Sequence, residues 1–218
     1  KARRAVVTDF ELGMVMDESR GRAFNGLAFL GAVDFLTGEV LIREYVKPTG
    51  KVTNWNSCVS GIKPADMNAA VRRGAAIHGC ETARAALWGY VHSDTVITDQ
   101  ALQNDLDALG IIHPRVVDTA IVTTQTAFKG GGQSGRFCRT WGLRILASDL
   151  LCRNIQKEEE GHNAAEDALA TKDLLLCCIE NPTLLDDWAR AERGAYPRYE
   201  PDSGEDNDPE NEGPSTWP

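Results

Sequence analysis

Residues 6–13, VVTDFELG, form an apolar, strand-forming run that contains two acids, Asp9 and Glu11. Side chains along a strand alternate between faces, so residues two apart share one. A strand apolar enough to lie inside a sheet therefore carries two carboxylates side by side on one surface. Unpaired buried carboxylates are costly, and close neighbours repel and retain protons unless a cation neutralises them. The chain must then fold so that an inner strand opens onto a polar site to which other segments contribute.

The remaining pattern supplies those segments. Residues 4–12 read as the first strand, and FNGLAFLGAVDF (24–35) and VLIREYV (40–46), joined by TGE, read as a hairpin. The stretch from Pro48 to Gly61, with Gly50, Asn54, Asn56 and Ser57, reads as loop. Helical periodicity occupies 64–77 and 80–91. DTVITD (94–99) reads as a short buried strand, and QALQNDLDAL (100–109) as a helix with Leu102, Leu106 and Leu109 on one stripe. RVVDT (115–119) reads as a further strand, AIVTTQTAF fits either type, and KGGGQSG (129–135) reads as a flexible loop. GLRILASDLLCRNI and NAAEDALATKDLLLCCI follow as amphipathic helices, the second ended by Asn181-Pro182. Early strands followed by alternating helices and strands indicate an α/β domain. Its expected core is a mixed sheet, with an antiparallel hairpin at one edge and a parallel centre, flanked by helices.

With 42% apolar and 25% charged residues, the 218-residue chain suits one domain, expected over 1–198. Residues 199–218 are rich in Pro, Gly and acids and are expected to be a disordered, solvating tail. The formal charge of −9 argues against a polyanionic partner only at first sight, because removing the seven acids of 200–218 brings it to −2. No apolar run approaches the roughly 20 residues that span a bilayer, the densest being LLLCCI at 174–179, so a soluble chain with no membrane partner is expected. Six cysteines lack paired metal-ligand spacing. They read as reduced core residues, which implies an intracellular location, nucleus or cytoplasm.

A third acid, Asp105, lies on the helix that follows the central strand and can approach the Asp9–Glu11 face. GHNAAEDALA then brings His162 and Asp167, five residues apart. On one helix that spacing rotates by about 500°, a net of about 140°. His162 therefore belongs to the preceding loop, with Asn163 as N-cap and Asp167 fixed on the first turns. Oxygen ligands select hard ions, Mg²⁺ or Mn²⁺. Two such ions about 4 Å apart suit displacement at a phosphodiester, and a neutral imidazole beside them suits a general base. Trp55, in the polar stretch TNWNS, fits either a base-stacking contact or a core anchor.

TDFELG, ALQND and GHNAAED resemble, in order, the three sequence blocks of the DEDDh 3′-to-5′ exonucleases, which share the ribonuclease-H-like fold. The chain is most similar to the eukaryotic RNA-exonuclease branch. VKPTGKVTNWNSCVSGI and IIHPRVVDT add to the likeness, which runs from about Arg4 to about Cys178. The resemblance implies a two-metal enzyme that removes nucleotides from the 3′ end of single-stranded RNA as nucleoside 5′-monophosphates. It implies that Asp9, Glu11, Asp105 and Asp167 hold the ions, with Asp9 between both, Glu11 and Asp167 on the nucleophile side, and Asp105 on the other. It makes His162 the general base and puts Leu12 and Gly13 beside the terminal nucleotide. One block departs from the pattern: Asp99-Gln100 stands where Gly-His is usual, so Gln100 is the residue expected near the substrate's end. A DNA exonuclease of the same family and a nucleic-acid-binding module of low turnover are the alternatives.

Overall fold

The computed structural model describes residues 1–19, 21–128, 139–156 and 162–195. The proposed tail, the 129–135 loop and Gly161 lie outside them. Strand β1 (Ala5–Asp17) runs antiparallel to β2 (Arg22–Asp34), which runs antiparallel to β3 (Val40–Lys47). A short β4 (Lys51–Asn54) and α1 (Ser57–Ser60) lead to α2 (Pro64–Arg72), β5 (Ala76–His78) and α3 (Gly79–Trp88). Then come β6 (Val96–Asp99), α4 (Leu102–Leu109), β7 (Val116–Asp118) and α5 (Thr119–Ala127). Helices α6 (Leu143–Leu151), α7 (Ala164–Glu180) and α8 (Pro182–Ala195) complete the order.

The result is the mixed α/β sheet that the sequence implies, in the order β5-β3-β2-β1-β6-β7, with β4 paired to the far part of β1. Strands β6 and β7 add in parallel beyond β1, and β5 adds in parallel beyond β3. The antiparallel meander therefore occupies the middle of the sheet. β5 escapes sequence reading because three residues are too few to show a period, and the expected helix over 64–77 stops at Arg72 before the positive-φ Gly74.

Two other segments differ from expectation. The stretch expected as loop holds β4 and α1; β4 is mostly exposed and pairs through backbone with Met14–Met16, while β1 continues to Asp17 by pairing with β2. Pro182 ends α7 but also opens α8, since proline is tolerated in a first helical turn. Leu185, Trp188 and Ala189 of α8 are buried against α5, α6 and α7, where Trp141 meets Trp188 edge to face at 5.1 Å.

Packing separates the two faces of β1. Val6 and Phe10 join Leu30, Leu87 and Leu109 in the main core under α3 and α4, whereas Val7 packs with Val33 and Ala168 under α7. Helix α7 comes this close because residue 31 is glycine: a Cβ there would lie 3.0 Å from the Ala164 Cβ and 3.0 Å from the Asp9 carbonyl. The described cysteines are free, as expected, but only Cys178 is buried. Cys58 lies exposed in α1, and Cys152 lies exposed in the left-handed residue that ends α6. No helix among the described residues is long and apolar enough to cross a membrane.

Candidate active site

Strand β6 pairs with β1 only from Ala5 to Val7 and β4 only from Met14 to Met16, so the stretch of β1 between them has no strand neighbour on that side. Asp105, in the first turn of α4, fills the opening: its Oδ2 accepts the Phe10 N–H at 3.0 Å. Asp99, at the end of β6, is fully buried and accepts the Thr8 hydroxyl at 2.8 Å and the Gln100 N–H at 2.6 Å. The Asp99 and Asp105 carboxyls are also hydrogen-bonded to each other.

The start of α4 is held by a residue that sequence reading left as part of a strand. Asp118 accepts from Ala101 N at 3.0 Å and Leu102 N at 2.9 Å, and from Ala120 N at 2.8 Å. A single carboxylate thus caps two helix N-termini, where anionic oxygen is favoured. Its legible signal is an acid immediately before the Thr119 helix start. The same contacts hold Ala101 in a left-handed conformation, at φ 65°.

On the other side of Asp9, Glu11, His162 and Asp167 bring one ligand atom each to within 4.8 Å of one another. Asp167 is fully buried on the first turns of α7. His162 lies on the loop ahead, as its spacing required, and its backbone N–H donates to the Val59 carbonyl at 2.9 Å. Asn163 is at the N-cap but makes no side-chain cap bond. Asp167 Oδ2 accepts from Gln156 Nε2 at 2.8 Å and lies 3.5 Å from His162 Nδ1. Glu11 Oε1 and Asp167 Oδ1 are buried with no hydrogen-bond partner. A buried, unsatisfied carboxylate oxygen costs on the order of 1–3 kcal/mol, so two at one point mark a place built for a cation.

The electrostatics agree. Burial first, and then Asp167, Asp105 and Glu11, push the Asp9 carboxyl well above its ordinary range, which places Asp9 centrally among the acids. Glu11 is pushed up to about 9 by burial and by Asp167 and Asp105. Asp105 and Asp167 are each pushed up to about 6, chiefly by burial, against the hydrogen bonds they accept. Burial lowers His162, so its imidazole is neutral at neutral pH. Carboxylates and one imidazole around unpartnered oxygens suit a divalent cation.

The other sequence candidates are more dispersed. Leu12 packs half-buried against the main core. Gly13 lies where β4 crosses β1; a Cβ there would be 3.3 Å from the Asn54 carbonyl. Trp55 is half-buried between β4 and α1, and its carbonyl accepts from Ser60 at 2.8 Å. Gln100 turns into the protein, with Nε2 donating to the Trp141 carbonyl at 2.7 Å and Oε1 accepting from Thr119. Sequence reasoning missed Gln156, which orients Asp167 from a loop with no periodic signal. It also missed the buried depth of Asp99, which follows from the pairing of β6 between β1 and β7.

Known proteins resemble this chain in sequence and in fold. RNA exonuclease 3 of Saccharomyces cerevisiae is 30% identical over 162 residues, which cover 70% of this chain and 34% of the relative. The putative RNA exonuclease pqe-1 of Caenorhabditis elegans is 33% identical over 159 residues, 72% of this chain and 9% of the relative. RNA exonuclease 3 of Emericella nidulans is 33% identical over 167 residues, 67% of this chain and 25% of the relative. The chain thus spans about a third or less of the length of these curated relatives. Among solved structures, the Neurospora crassa Pan2 catalytic unit superposes with a TM-score of 0.68 at 20% identity, over 91% of this chain and 30% of that one. The S. cerevisiae Pan2 exonuclease module in complex with AAGGAA RNA gives 0.67 at 23% identity, over 89% of this chain and 32% of that one. No family model matches the chain. With its three acidic blocks gathered on such a sheet, and with these relatives aligned over about two-thirds of its length, the chain belongs to the DEDDh-type exonuclease family with the ribonuclease-H-like fold.

Proposed function

We propose that this domain is a metal-dependent 3′-to-5′ exonuclease acting on the 3′ end of single-stranded RNA and releasing nucleoside 5′-monophosphates. The observation that carries the reading is the pair of buried, unpartnered oxygens, Glu11 Oε1 and Asp167 Oδ1, beside a neutral imidazole. Glu11 and Asp167 would hold one Mg²⁺ or Mn²⁺, Asp105 would act on a second, and Asp9, central among them, would serve both. When bound, the ions supply Lewis-acid neutralisation of the phosphate oxygens. His162 takes a proton from the attacking water; low basicity from burial keeps it free to accept. The tether of His162 to Val59 and the hydrogen bond from Gln156 to Asp167 orient these groups before substrate arrives. Relatives named RNA exonucleases support RNA over DNA as the substrate.

The test is a time course with 3′-labelled and 5′-labelled RNA and DNA oligonucleotides, with and without Mg²⁺. Mononucleotide release from the 3′ label, dependent on the ion and faster on RNA, is expected. Asp9→Ala or Asp167→Ala with undiminished trimming would refute the assignment. A second reading, a binding module of low turnover, draws on Asp99, which holds Asp105 from behind. Tight RNA binding without cleavage, and no heat of Mn²⁺ binding in calorimetry, would favour it.

A further inference from the structure

The sheet face that carries the acids continues beyond them. Glu11 pairs with Phe29 and Phe29 with Tyr45; Asp9 pairs with Gly31 and Gly31 with Arg43. Residues directly opposite in a ladder share a face, so two rows run from the carboxylates across β2 to β3. Two strand spacings put the β3 ends about 10 Å from the backbone of the acids. Helix α7 covers the second row at Gly31, and the segment from Ser60 to Ile62 bounds the other side. The first row is left as the floor of a cavity of about 460 Å³. That size falls within the range of about 300–1,000 Å³ common for small-ligand sites.

The chemistry along this floor is ordered. At one end stand Glu11 and His162. In the middle, Phe29 and Tyr45 are half-buried, meet edge to face at 5.1 Å and 83°, and both line the cavity. At the far end is the exposed Arg43, which makes no hydrogen bond or ion pair with any described residue. A nucleotide has the same order: an anionic phosphate, a ribose and flat base that stack on aromatic rings, and a base edge bearing acceptors. A guanidinium only donates, in a planar fork.

We infer that the cavity is the subsite for the nucleotide being released, with its base against Phe29 and Tyr45 and the acceptor edge of that base at Arg43. The inference rests on the exonuclease reading and adds a base preference to it. Guanine offers the adjacent O6 and N7 acceptors that a guanidinium fork matches, whereas adenine places an amino group beside N7. RNA ending in guanosine is therefore bound better than RNA ending in adenosine.

The test uses the whole chain with Mg²⁺ and oligonucleotides that differ only in the 3′-terminal base, together with calorimetric titration of GMP and AMP. Arg43→Ala is expected to raise KM for guanosine-ended RNA about tenfold, with kcat unchanged and the guanosine preference lost. Arg43→Lys is expected to restore little, because a point charge lacks the fork. Tyr45→Ala is expected to raise KM about fivefold or more for every base, and Tyr45→Phe to recover most of it. Wild-type KM values and wild-type GMP binding in Arg43→Ala would overturn the inference while leaving the exonuclease reading intact. A rise in KM equal for all bases would also overturn it. If the wild-type chain trims no RNA at all, the exonuclease reading falls, and the GMP and AMP titrations of wild type and Arg43→Ala still decide whether the cavity takes a guanine nucleotide.

Discussion

The two halves of the acid cluster are built in opposite ways. On one side of Asp9, Glu11 and Asp167 leave buried oxygens without partners, and Glu11 lines a cavity together with His162. On the other side, Asp99 and Asp105 are closed, hydrogen-bonded to each other, to Thr8 and to the Phe10 N–H. The first half leaves acceptors unused; the second has spent most of its own. An acidic cluster on one surface is therefore not a uniform ion trap. Hydrogen bonding decides how many carboxylate oxygens each half leaves open to a cation.

The sharpest way to break this contrast is to remove groups from the open half. His162→Asn is expected to lower metal-dependent trimming by about 10²–10⁴-fold, the usual loss when a positioned general base is removed, with Mn²⁺ binding by calorimetry retained. Glu11→Gln is expected to abolish trimming while raising the melting temperature of the metal-free protein, because it deletes a carboxylate held at about 9 by burial and by like charges. For a chain of this size each kcal/mol recovered appears as about 2–4 °C. A lower melting temperature in Glu11→Gln would mean that the open half is not strained.

Acidity separates the halves more gently. Glu11, Asp105 and Asp167 bind protons more tightly folded than unfolded, between their ordinary values of 4.5, 3.8 and 3.8 and about 9, 6 and 6. Without metal, stability is therefore lost as pH rises through those windows and gained as pH falls from about 9, more steeply below about 6. His162, whose value is lowered, opposes this with one proton below its ordinary 6.5. Each group changes stability by about 1.4 kcal/mol per pH unit at most inside its window. Thermal melts in EDTA are expected to follow this trend, and saturating Mn²⁺ is expected to reverse it, since bound ions hold the carboxylates ionised. A metal-free curve that falls from pH 8 to pH 5.5 would contradict the clustered geometry. The smallest effect is expected in the closed half: Asp99→Asn keeps only one of the two acceptors that face Thr8 and the Gln100 N–H, and the loss of one hydrogen bond is expected to change trimming by no more than about tenfold at neutral pH.

Much of this is legible in the sequence alone. The odd positions of VVTDFELG do share a face, because alternation is a property of the strand itself, and His162 does precede its helix, because helical rotation forbids the alternative. The ambiguous AIVTTQTAF became a helix once Asp118 capped it, with Thr123 and Thr126 hydroxyls turned back onto the preceding carbonyls. The cysteines taught the opposite lesson: apolar neighbours in sequence did not bury Cys58 or Cys152, whose exposure depends on where a short helix and a helix end meet solvent.

Local chemistry in the chain determined the strand that carries two acids, the helices that carry the others, and the loop that carries the imidazole, since these follow from periods of two and of 3.6 residues. Only the tertiary structure decided that Asp99 lies beside Asp105, that Gly31 lets α7 bring Asp167 down onto the sheet, and that Phe29, Tyr45 and Arg43 extend the acid face. Those relations join residues far apart in sequence through strand order and register. No local pattern encodes them, because a ladder partner is chosen by the packing of the whole sheet.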